Sequence, residues 1–291
     1  MAPKYAASPA EFASFLAELP EDVGPELTPL KSALKIALAG LIPEGHFEVW
    51  RLPGGYYCYL MDYLGTFLYC QNAGERDEGL LADGLDYLLQ TTKMGSVLRE
   101  RELVILWGDA DTIEKLTTLL VSVHNYRTHS TVCLDALFII PNGCQLAEKS
   151  LPPGYFLDTL RADDAELVAA RWAYSAEDEP ERIRIRLSSL PSSCVRSCGG
   201  EQLAGWVTVD HRGMVQHLHV LPEHRGKGIR AHLMQDIAAK MYGNPGLAIL
   251  PYYCVDDRNS AMLRWVPNGH TVYGSDGKAQ KILFMPVSFD K

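Results

Sequence analysis

Apolar and polar positions recur along the first half of the chain in two periods, one typical of helices and one of strands. The helical period covers residues 30–41, 80–89 and 112–124. Short apolar runs bounded by glycine or proline predict strands at residues 46–52, 56–61, 66–70, 103–107 and 131–140. Ser8, Pro9 and Glu11 predict a further helix, because they supply a capping residue, a first-turn proline and a capping-box acid. The order α-α-β-β-β-α-β-α-β predicts a mixed α/β unit.

A segment rich in turn-forming residues follows, from Pro141 to Gly154, and it predicts a domain boundary. We therefore expect an N-terminal α/β domain over residues 1–145 and a second domain over residues 152–291. The second half predicts strands at residues 155–160, 194–197, 205–209, 215–221, 247–255 and 281–287. Helices are predicted after Asp163 and Gly228, over residues 183–190, and after Asn259.

Composition and charge narrow the classes of function. The 291 residues are 47% hydrophobic and 22% charged, which is typical of a globular protein with one large or two ordinary domains. The net charge of −9 and the absence of a lysine- and arginine-rich run argue against a nucleic-acid partner. The apolar stretch from Leu34 to Ile42 is too short to span a membrane, so we expect no membrane association.

The seven cysteines are scattered and include no CxxC pair. Cys194 and Cys198 are the closest, but no second pair or nearby histidines complete a tetrahedral metal site. We expect free thiols in a reducing compartment and no metal. The first residues contain no apolar signal core, which predicts an intracellular protein, cytoplasmic rather than mitochondrial.

The most informative segment runs from Val215 to Met234, VQHLHVLPEHRGKGIRAHLM. A strand closed by Pro222 leads into a turn with glycines on both sides of a lysine, and an amphipathic helix begins at once. Such a turn directs several backbone N–H groups to one point at the positive end of the helix dipole, which predicts an anion site. Arg225, Lys227 and Arg230 add charge there, so we expect a pyrophosphate. The spacing matches neither a Walker motif nor a dinucleotide fingerprint.

The segment from Leu218 to Ile229, LHVLPEHRGKGI, resembles the coenzyme A-binding motif of the GNAT acyltransferase superfamily. The strand-and-helix order of residues 155–290 is similar to that superfamily as well. More narrowly, WVTVDHRG at residues 206–213, running into LPEHR, resembles the glycine N-acyltransferase family. That family carries an N-terminal domain of about this length, described as a degenerate GNAT-like unit. The resemblance implies a GNAT-type mixed sheet flanked by helices in the C-terminal half, preceded by a smaller α/β domain without a phosphate loop.

The resemblance also implies roles for individual residues toward acyl-coenzyme A. The pyrophosphate would bind the loop formed by Arg225, Gly226, Lys227, Gly228, Ile229 and Arg230. The family has Gly or Ala at the sixth loop position, where this chain has Arg230, so that this side chain either points outward or reaches a phosphate. The pantetheine arm would bond to the backbone of Leu218, His219 and Val220, with the Val220 N–H polarising the thioester carbonyl. Asn259 would help to fix the cofactor arm. The acyl group would pass directly to an amine in a ternary complex.

The sequence departs from the family pattern at both proton-handling positions. Met214 stands where the glycine N-acyltransferases have a glutamate base, and the usual thiolate-protonating tyrosine falls near Trp265 or Val266. His217 and His219 share one face of the strand and are the candidate catalytic residues, because histidine takes up protons near neutral pH. Counted back from Arg225, His217 and His219 are one residue out of phase with Met214 and Gln216, which occupy the usual base positions. A β-bulge would bring them to the active-site side, and without one they face the packing side.

Weaker candidates come from two other segments. Tyr252, Tyr253 and Cys254 are possible acids on the facing strand, although aromatic residues in a buried strand are more often part of the core. The acid cluster at residues 177–181 is interpreted as a solvated loop, with the alternative that it attracts a cationic acceptor.

Two hypotheses follow from these residues. The first is an acyl-coenzyme A-dependent N-acyltransferase that acts on a small amine or amino acid, with a protein substrate as a variant that no feature requires. The second is a non-catalytic acyl-coenzyme A-binding protein on a GNAT scaffold, which Met214 and Val266 favour.

Overall fold

The computed structural model describes residues 4–19, 25–74, 77–129, 132–172, 175–199, 201–267, 269–273 and 278–290. Within these ranges the chain forms two compact units, one from residues 1–138 together with 254–291 and one from residues 139–253. The division near residue 139 lies close to the predicted boundary. The second division, at residue 253, departs from the predicted domain of 152–291, since the last strand pairs with strands of the first unit.

The first unit contains most of the secondary structure. Its strands are β1 (Lys4–Ala6), β2 (Phe47–Leu52), β3 (Tyr56–Asp62), β4 (Thr66–Asn72), β5 (Val104–Asp109), β6 (Tyr126–Thr128), β7 (Cys133–Ile139) and β13 (Lys281–Phe289). Its helices are α1 (Pro9–Glu18), α2 (Thr28–Leu38), α3 (Glu78–Thr91), α4 (Lys93–Glu100), α5 (Ala110–Val123) and α9 (Ser260–Leu263). The strand β12 (Tyr252–Asp256) crosses the division between the units.

These strands form one mixed sheet in the order β1-β2-β3-β4-β5-β13-β7-β12, with β6 also paired to β13. The strand β13 lies in the interior of the sheet, antiparallel to β5 from Ile282 to Val287 and to β7 from Lys281 to Phe284. Apolar residues on both sides of β13 explain this position, because an interior strand is covered on both faces. Leu283 enters the core that α3, α4 and α5 cover, whereas Phe284 stacks on Trp107 with ring centroids 5.6 Å apart.

The second unit is smaller and carries the predicted loop. Its strands are β8 (Tyr155–Asp158), β9 (Ser192–Ser197), β10 (Leu203–Val209) and β11 (Val215–Val220), and its helices are α6 (Ala165–Ala170), α7 (Glu179–Ser189) and α8 (Ile229–Tyr242). The strands form an antiparallel sheet in the order β11-β10-β9-β8.

Strand β10 is buried over its whole length, which requires cover on both faces of this sheet. Trp206 packs into a core that includes Val168 of α6 and Ile183 of α7. Gly205 faces α8, where an added Cβ would lie 3.2 Å from Ile229 Cγ2 and 2.8 Å from the His219 carbonyl oxygen. The glycine therefore lets the start of α8 approach β10 closely.

The predicted mixed α/β class is confirmed, and several boundaries differ. The predicted strand at residues 247–255 forms ladder pairs only from Tyr252, and the helix expected at 183–190 begins at Glu179. Helix α4 and strand β6 were not predicted, because both are short and their polar residues obscure the apolar period. No helix in the described ranges is both long and apolar enough to cross a membrane.

The interior position of β13 predicts that shortening one of its buried side chains strongly lowers the free energy of unfolding. Leu283→Ala removes a side chain that is 4% exposed, so we expect the free energy of unfolding to fall by about 2–5 kcal/mol. Leu134→Ala is the matched control, because Leu134 lies directly across the ladder and is 39% exposed. In Leu134→Ala the free energy of unfolding should fall by less than about 1 kcal/mol. Urea unfolding measures both, and equal losses would contradict the core position of β13.

Candidate functional site

The segment between β11 and α8 has the geometry of an anion-binding loop. Gly226 and Gly228 have φ angles of 77° and 76°, a left-handed conformation that glycine adopts without steric cost. An added Cβ at either position would meet nothing within 4 Å, so the space above the loop is open. In the described part of the chain the amides of residues 226–228 donate to no acceptor. They lie at the N-terminus of a 14-residue helix, where the helix dipole favours an anion.

The three predicted basic residues surround this loop in different ways. The Lys227 ammonium donates to the Tyr155 hydroxyl at 2.6 Å and lies 5.0 Å from the centre of that ring. Arg225 is exposed, and its Nε donates to the Val220 carbonyl at 3.0 Å. Arg230 is half-buried, and burial lowers the pKa of its guanidinium. Tyr155, which the sequence did not single out, thus orients the loop lysine from β8.

One edge of β11 has almost no strand partner. On its other side β11 pairs with β10, but on the open side the described residues contribute a single parallel bridge, between Met214 and Tyr252. The two chain segments do not continue as a ladder beyond that bridge. The backbone of Leu218 to Val220 therefore lies on an open edge that leads to the loop, and an open edge offers hydrogen-bonding groups to an extended ligand.

Strand β11 contains a bulge at His217. Trp206 pairs with His219 and Thr208 with Gln216, so two residues of β11 oppose the single residue between Trp206 and Thr208. His217 has a φ of 55°, a conformation in which histidine is over-represented among residues other than glycine. The bulge that would move the two histidines out of a regular alternation is therefore present.

The bulge separates the surroundings of the two histidines. His219 stacks on Trp206 with ring centroids 5.0 Å apart and is half-buried. The side chain of His217 is 2% exposed, and the centroid of its ring lies 4.3 Å from the ring centroid of Trp172. The Nε2 atom of His217 is 3.8 Å from Oε1 of Glu179. His217 thus enters a buried polar cluster, whereas His219 lies over the face of the sheet.

Both imidazoles are held in the neutral form. Burial, with the positive charges of Arg186 and Arg212, lowers the pKa of His217 from 6.5 to about 3. Burial also lowers the pKa of His219, and Arg225 and Arg171 act in the same direction. A histidine that is neutral at neutral pH can accept or donate a hydrogen bond but is a weak base.

Glu179, Arg186 and Trp172, which the sequence did not single out, lie in the cluster around His217. The interpretation of residues 177–181 as a solvated loop is wrong for Glu179, which begins α7 and is 5% exposed. Its carboxylate accepts a hydrogen bond from Arg186 at 2.6 Å, and a buried ion pair of this kind needs that contact because its charges have left water. Pro180, at the first turn of a helix directly after an acidic run, was the available signal.

Asp210 builds the turn that leads into β11. Its Oδ1 accepts from the backbone amides of Arg212 at 2.9 Å and Met214 at 3.1 Å, and its Oδ2 accepts from the Arg212 guanidinium at 2.6 Å. Tyr252 is fully buried and donates its hydroxyl hydrogen to the Arg212 carbonyl at 2.9 Å. Tyr252 therefore supports the turn.

The remaining sequence candidates lie in different surroundings. Burial raises the pKa of the Tyr253 hydroxyl well above its usual value. Asn259 belongs to the first unit, where its Oδ1 caps the short helix α9 by accepting from the Met262 amide at 3.1 Å. Among the described residues no group of three or more His, Cys, Asp or Glu side chains could hold a metal ion.

Comparison with known proteins identifies the fold. No family model and no curated protein matches the sequence. A Drosophila protein solved as a structural-genomics target is similar with a TM-score of 0.71 at 15% identity, over 98% of this chain and 97% of that chain. A GCN5-related N-acetyltransferase from Kribbella flavida gives 0.51 at 13% identity, over 82% and 88%. A tandem GNAT protein from the clavulanic acid biosynthesis pathway gives 0.51 at 11%, over 99% and 98%. The predicted GNAT fold is confirmed.

The buried state of His217 predicts a pH-dependent stability. The unfolded chain protonates this histidine near pH 6.5, whereas the folded chain keeps it neutral down to about pH 3. Between these values the unfolded state binds more protons, so the free energy of unfolding falls as the pH falls. In His217→Asn, which tolerates the left-handed backbone, this fall should be smaller by about 1.4 kcal/mol per pH unit between pH 6 and 4.

Urea unfolding of the original protein and the variant across this pH range measures the difference in slope. The contributions of all unchanged titratable groups to the pH dependence cancel in this comparison. The absolute stability of the variant does not matter for the result. Parallel stability curves would contradict the burial of His217 in its neutral form.

Proposed function

We propose that the protein is an acyl-coenzyme A-dependent N-acyltransferase that acylates a small amine or amino acid. The observation that carries this proposal is the open loop of Gly226 and Gly228 at the start of α8, next to the open edge of β11. A diphosphate fits the loop because its free amides and the helix dipole favour an anion. The GNAT fold of the neighbouring structures supports the same conclusion.

Each element of the site would have a distinct task. The amides of residues 226–228, with Arg225 and Lys227, would hold the pyrophosphate, and Ile229 would anchor the helix start through its contact with Gly205. The backbone of Leu218 to Val220 would bind the pantetheine arm, and the Val220 N–H would polarise the thioester carbonyl. Arg230 would reach a phosphate from its half-buried position.

The coenzyme supplies an activated acyl group as a thioester. The acceptor nitrogen attacks the carbonyl carbon, a C–N bond forms, the C–S bond breaks, the nitrogen loses a proton and the sulfur gains one. Met214 cannot take up a proton, and neither Trp265 nor Val266 is an effective acid toward sulfur. We infer that water relays the proton from the amine. His217 and His219 then act as hydrogen-bonding groups beside this relay.

The first unit is proposed to bind no coenzyme A. Its parallel strands β4 and β5 stay paired in register from Phe67–Ile105 to Cys70–Gly108, so no open edge separates them. After β4 the chain passes close to the Gly54–Gly55 backbone, where a Cβ on Gly74 would lie 2.8 Å from the Gly54 oxygen. This unit would be a degenerate GNAT-like domain, as in the glycine N-acyltransferase-like proteins.

A second candidate function is a coenzyme-binding protein without chemistry. The apolar side chains of Met214 and Val266 at the two proton-handling positions favour it. Product formation separates the two candidates. Purified protein is incubated with acetyl-, butyryl- or benzoyl-coenzyme A and a mixture of amino acids and biogenic amines, and mass spectrometry detects the acylated amine. Product above the control without protein supports the transferase. Coenzyme binding with no product from any pair supports the second candidate.

The loop assignment predicts the effect of a charge reversal. Arg225→Glu puts a negative charge beside the pyrophosphate, so acyl-coenzyme A affinity should fall by roughly tenfold or more, which corresponds to at least about 1.4 kcal/mol. Arg99→Glu makes the same charge change at an exposed position on α4 of the first unit and should leave the affinity unchanged. Calorimetric titration measures both. Unchanged affinity in Arg225→Glu would overturn the loop assignment.

A further inference from the structure

The hydroxyl of Tyr155 joins the residue before the glycine loop to the lysine inside it. It accepts a hydrogen bond from the Lys227 ammonium at 2.6 Å and lies 2.9 Å from Nδ1 of His224. An ammonium can only donate and the phenol has a single hydrogen, so that hydrogen goes to His224 Nδ1. His224 and Lys227 flank Arg225 and Gly226 in the sequence. One side-chain oxygen thus bridges this part of the loop.

The Tyr155 ring packs against the same two side chains. It is nearly perpendicular to the His224 ring, at 84°, with ring centroids 5.6 Å apart. The Lys227 Nζ atom lies 5.0 Å from the centre of the Tyr155 ring, which allows a cation–π contact. The hydrogen bond from Lys227 is charge-assisted and short, and bonds of this type are stronger than those between neutral groups. Ring and hydroxyl therefore hold the same pair of side chains.

Tyr155 reaches the loop from a distant part of the second unit. It lies in β8, 72 positions before Lys227 and at the opposite edge of the sheet from β11. Strand β8 is held by an antiparallel ladder with β9 that begins at Tyr155 itself. Two other side-chain hydrogen bonds at the loop are local, from Arg225 to the Val220 carbonyl and from Lys227 to the Glu223 carbonyl. Tyr155 therefore links the loop to a strand that these local bonds do not reach.

The two glycines make the loop costly to order. Gly226 and Gly228 have left-handed φ angles, and glycine loses more conformational freedom on ordering than any other residue. An anion that binds the loop amides must fix this conformation, and the entropy lost in fixing it weakens binding. A loop that Tyr155 already holds in place loses less entropy when the anion binds.

We propose that Tyr155 is a positioning residue for the coenzyme, which holds His224 and Lys227 so that the loop amides keep the conformation that receives the diphosphate. This inference rests on the proposed function, and it adds a residue that lies outside the loop motif. Tyr155 acts through the loop and is not a catalytic residue. Its hydroxyl joins the two side chains, so removing the hydroxyl alone should loosen the loop.

The first test removes that hydroxyl. Tyr155→Phe keeps the ring and breaks both hydrogen bonds, so the affinity for the diphosphate should fall by about three- to tenfold. The probes are coenzyme A and inorganic pyrophosphate, each titrated calorimetrically into the full-length protein. We expect the same factor for both probes, because they share the diphosphate group.

Tyr242→Phe is the matched control. It removes a phenol hydroxyl of the same unit, at the end of α8, which donates to the Ile140 carbonyl at 2.7 Å. This hydroxyl makes its hydrogen bond away from the loop residues, so both affinities should stay unchanged.

A double-mutant cycle separates positioning of the loop from a general effect on the fold. Lys227→Met removes one side of the contact with Tyr155. Tyr155→Phe added to Lys227→Met should then lower the affinity by less than about twofold further. Two residues that act independently would instead give losses that multiply.

Relaxation of the glycine amides tests the loop without any ligand. In protein that carries ¹⁵N-labelled glycine, we expect order parameters of about 0.85 for Gly226 and Gly228, and values below about 0.7 in Tyr155→Phe. Gly205 is the internal control, because it is buried in β10 and should stay rigid in both proteins.

Four results would overturn the proposal: unchanged affinity in Tyr155→Phe, an equal loss in Tyr242→Phe, losses that multiply in the cycle, or loop glycines that stay rigid in Tyr155→Phe. The two probes separate this inference from the proposed function. Coenzyme A binding that Tyr155→Phe leaves unchanged would keep the transferase and remove the role of Tyr155. If only pyrophosphate binds, the transferase is disproved, while a loss of pyrophosphate affinity in Tyr155→Phe would still support that role. Binding of neither probe would overturn both.

Discussion

The extra residue in β11 at His217 is the feature on which the candidate site depends. A regular strand would place residues 217 and 219 on one face, but the bulge sends His217 into the cluster of Glu179 and Arg186 and leaves His219 stacked on Trp206. Bulges also bend the strand that carries them. Here the bulge lies three residues after Met214, which bridges to Tyr252, and among the described residues the rest of β11 has no strand partner on that side. One local irregularity thus accompanies both the open edge and the buried cluster.

The two units show what closing or opening such an edge does. Each unit contains a pair of parallel chain segments. In the first unit the pair runs in register for four residue pairs, from Phe67–Ile105 to Cys70–Gly108. This closeness requires Gly108, because a Cβ there would lie 1.9 Å from the Cys70 oxygen. Among the described residues of the second unit, the contact is a single bridge between Met214 and Tyr252. The described residues of the two units therefore differ in how far these parallel segments pair.

The sequence predicted the parts of the site that depend on local chemistry. The glycines of the loop, the proline that ends β11 and the following helix are neighbours in the chain, and their spacing specifies the turn. The cluster could not be predicted, because Glu179, Arg186 and His217 come from two elements and meet only through packing. The same holds for Tyr155 and Lys227. The mixed α/β class was predictable from the order of elements. That β13 belongs to the sheet of the first unit was not predictable, because the apolar pattern of a strand does not show which strands it pairs with.

The position of β13 also bears on how the chain acquires its fold during synthesis. Residues 281–289 fill an interior place between strands β5 and β7, which are separated from them by well over a hundred residues in the sequence. Pairings of this range close late, because the loop-closure entropy must be overcome before the contacts form. While a ribosome is still making the second unit, the first has a gap in its sheet with unpaired backbone on both sides. Nascent chains in that state expose sheet edges that can aggregate, so a chaperone or rapid release would matter more for this topology than for two units completed in order.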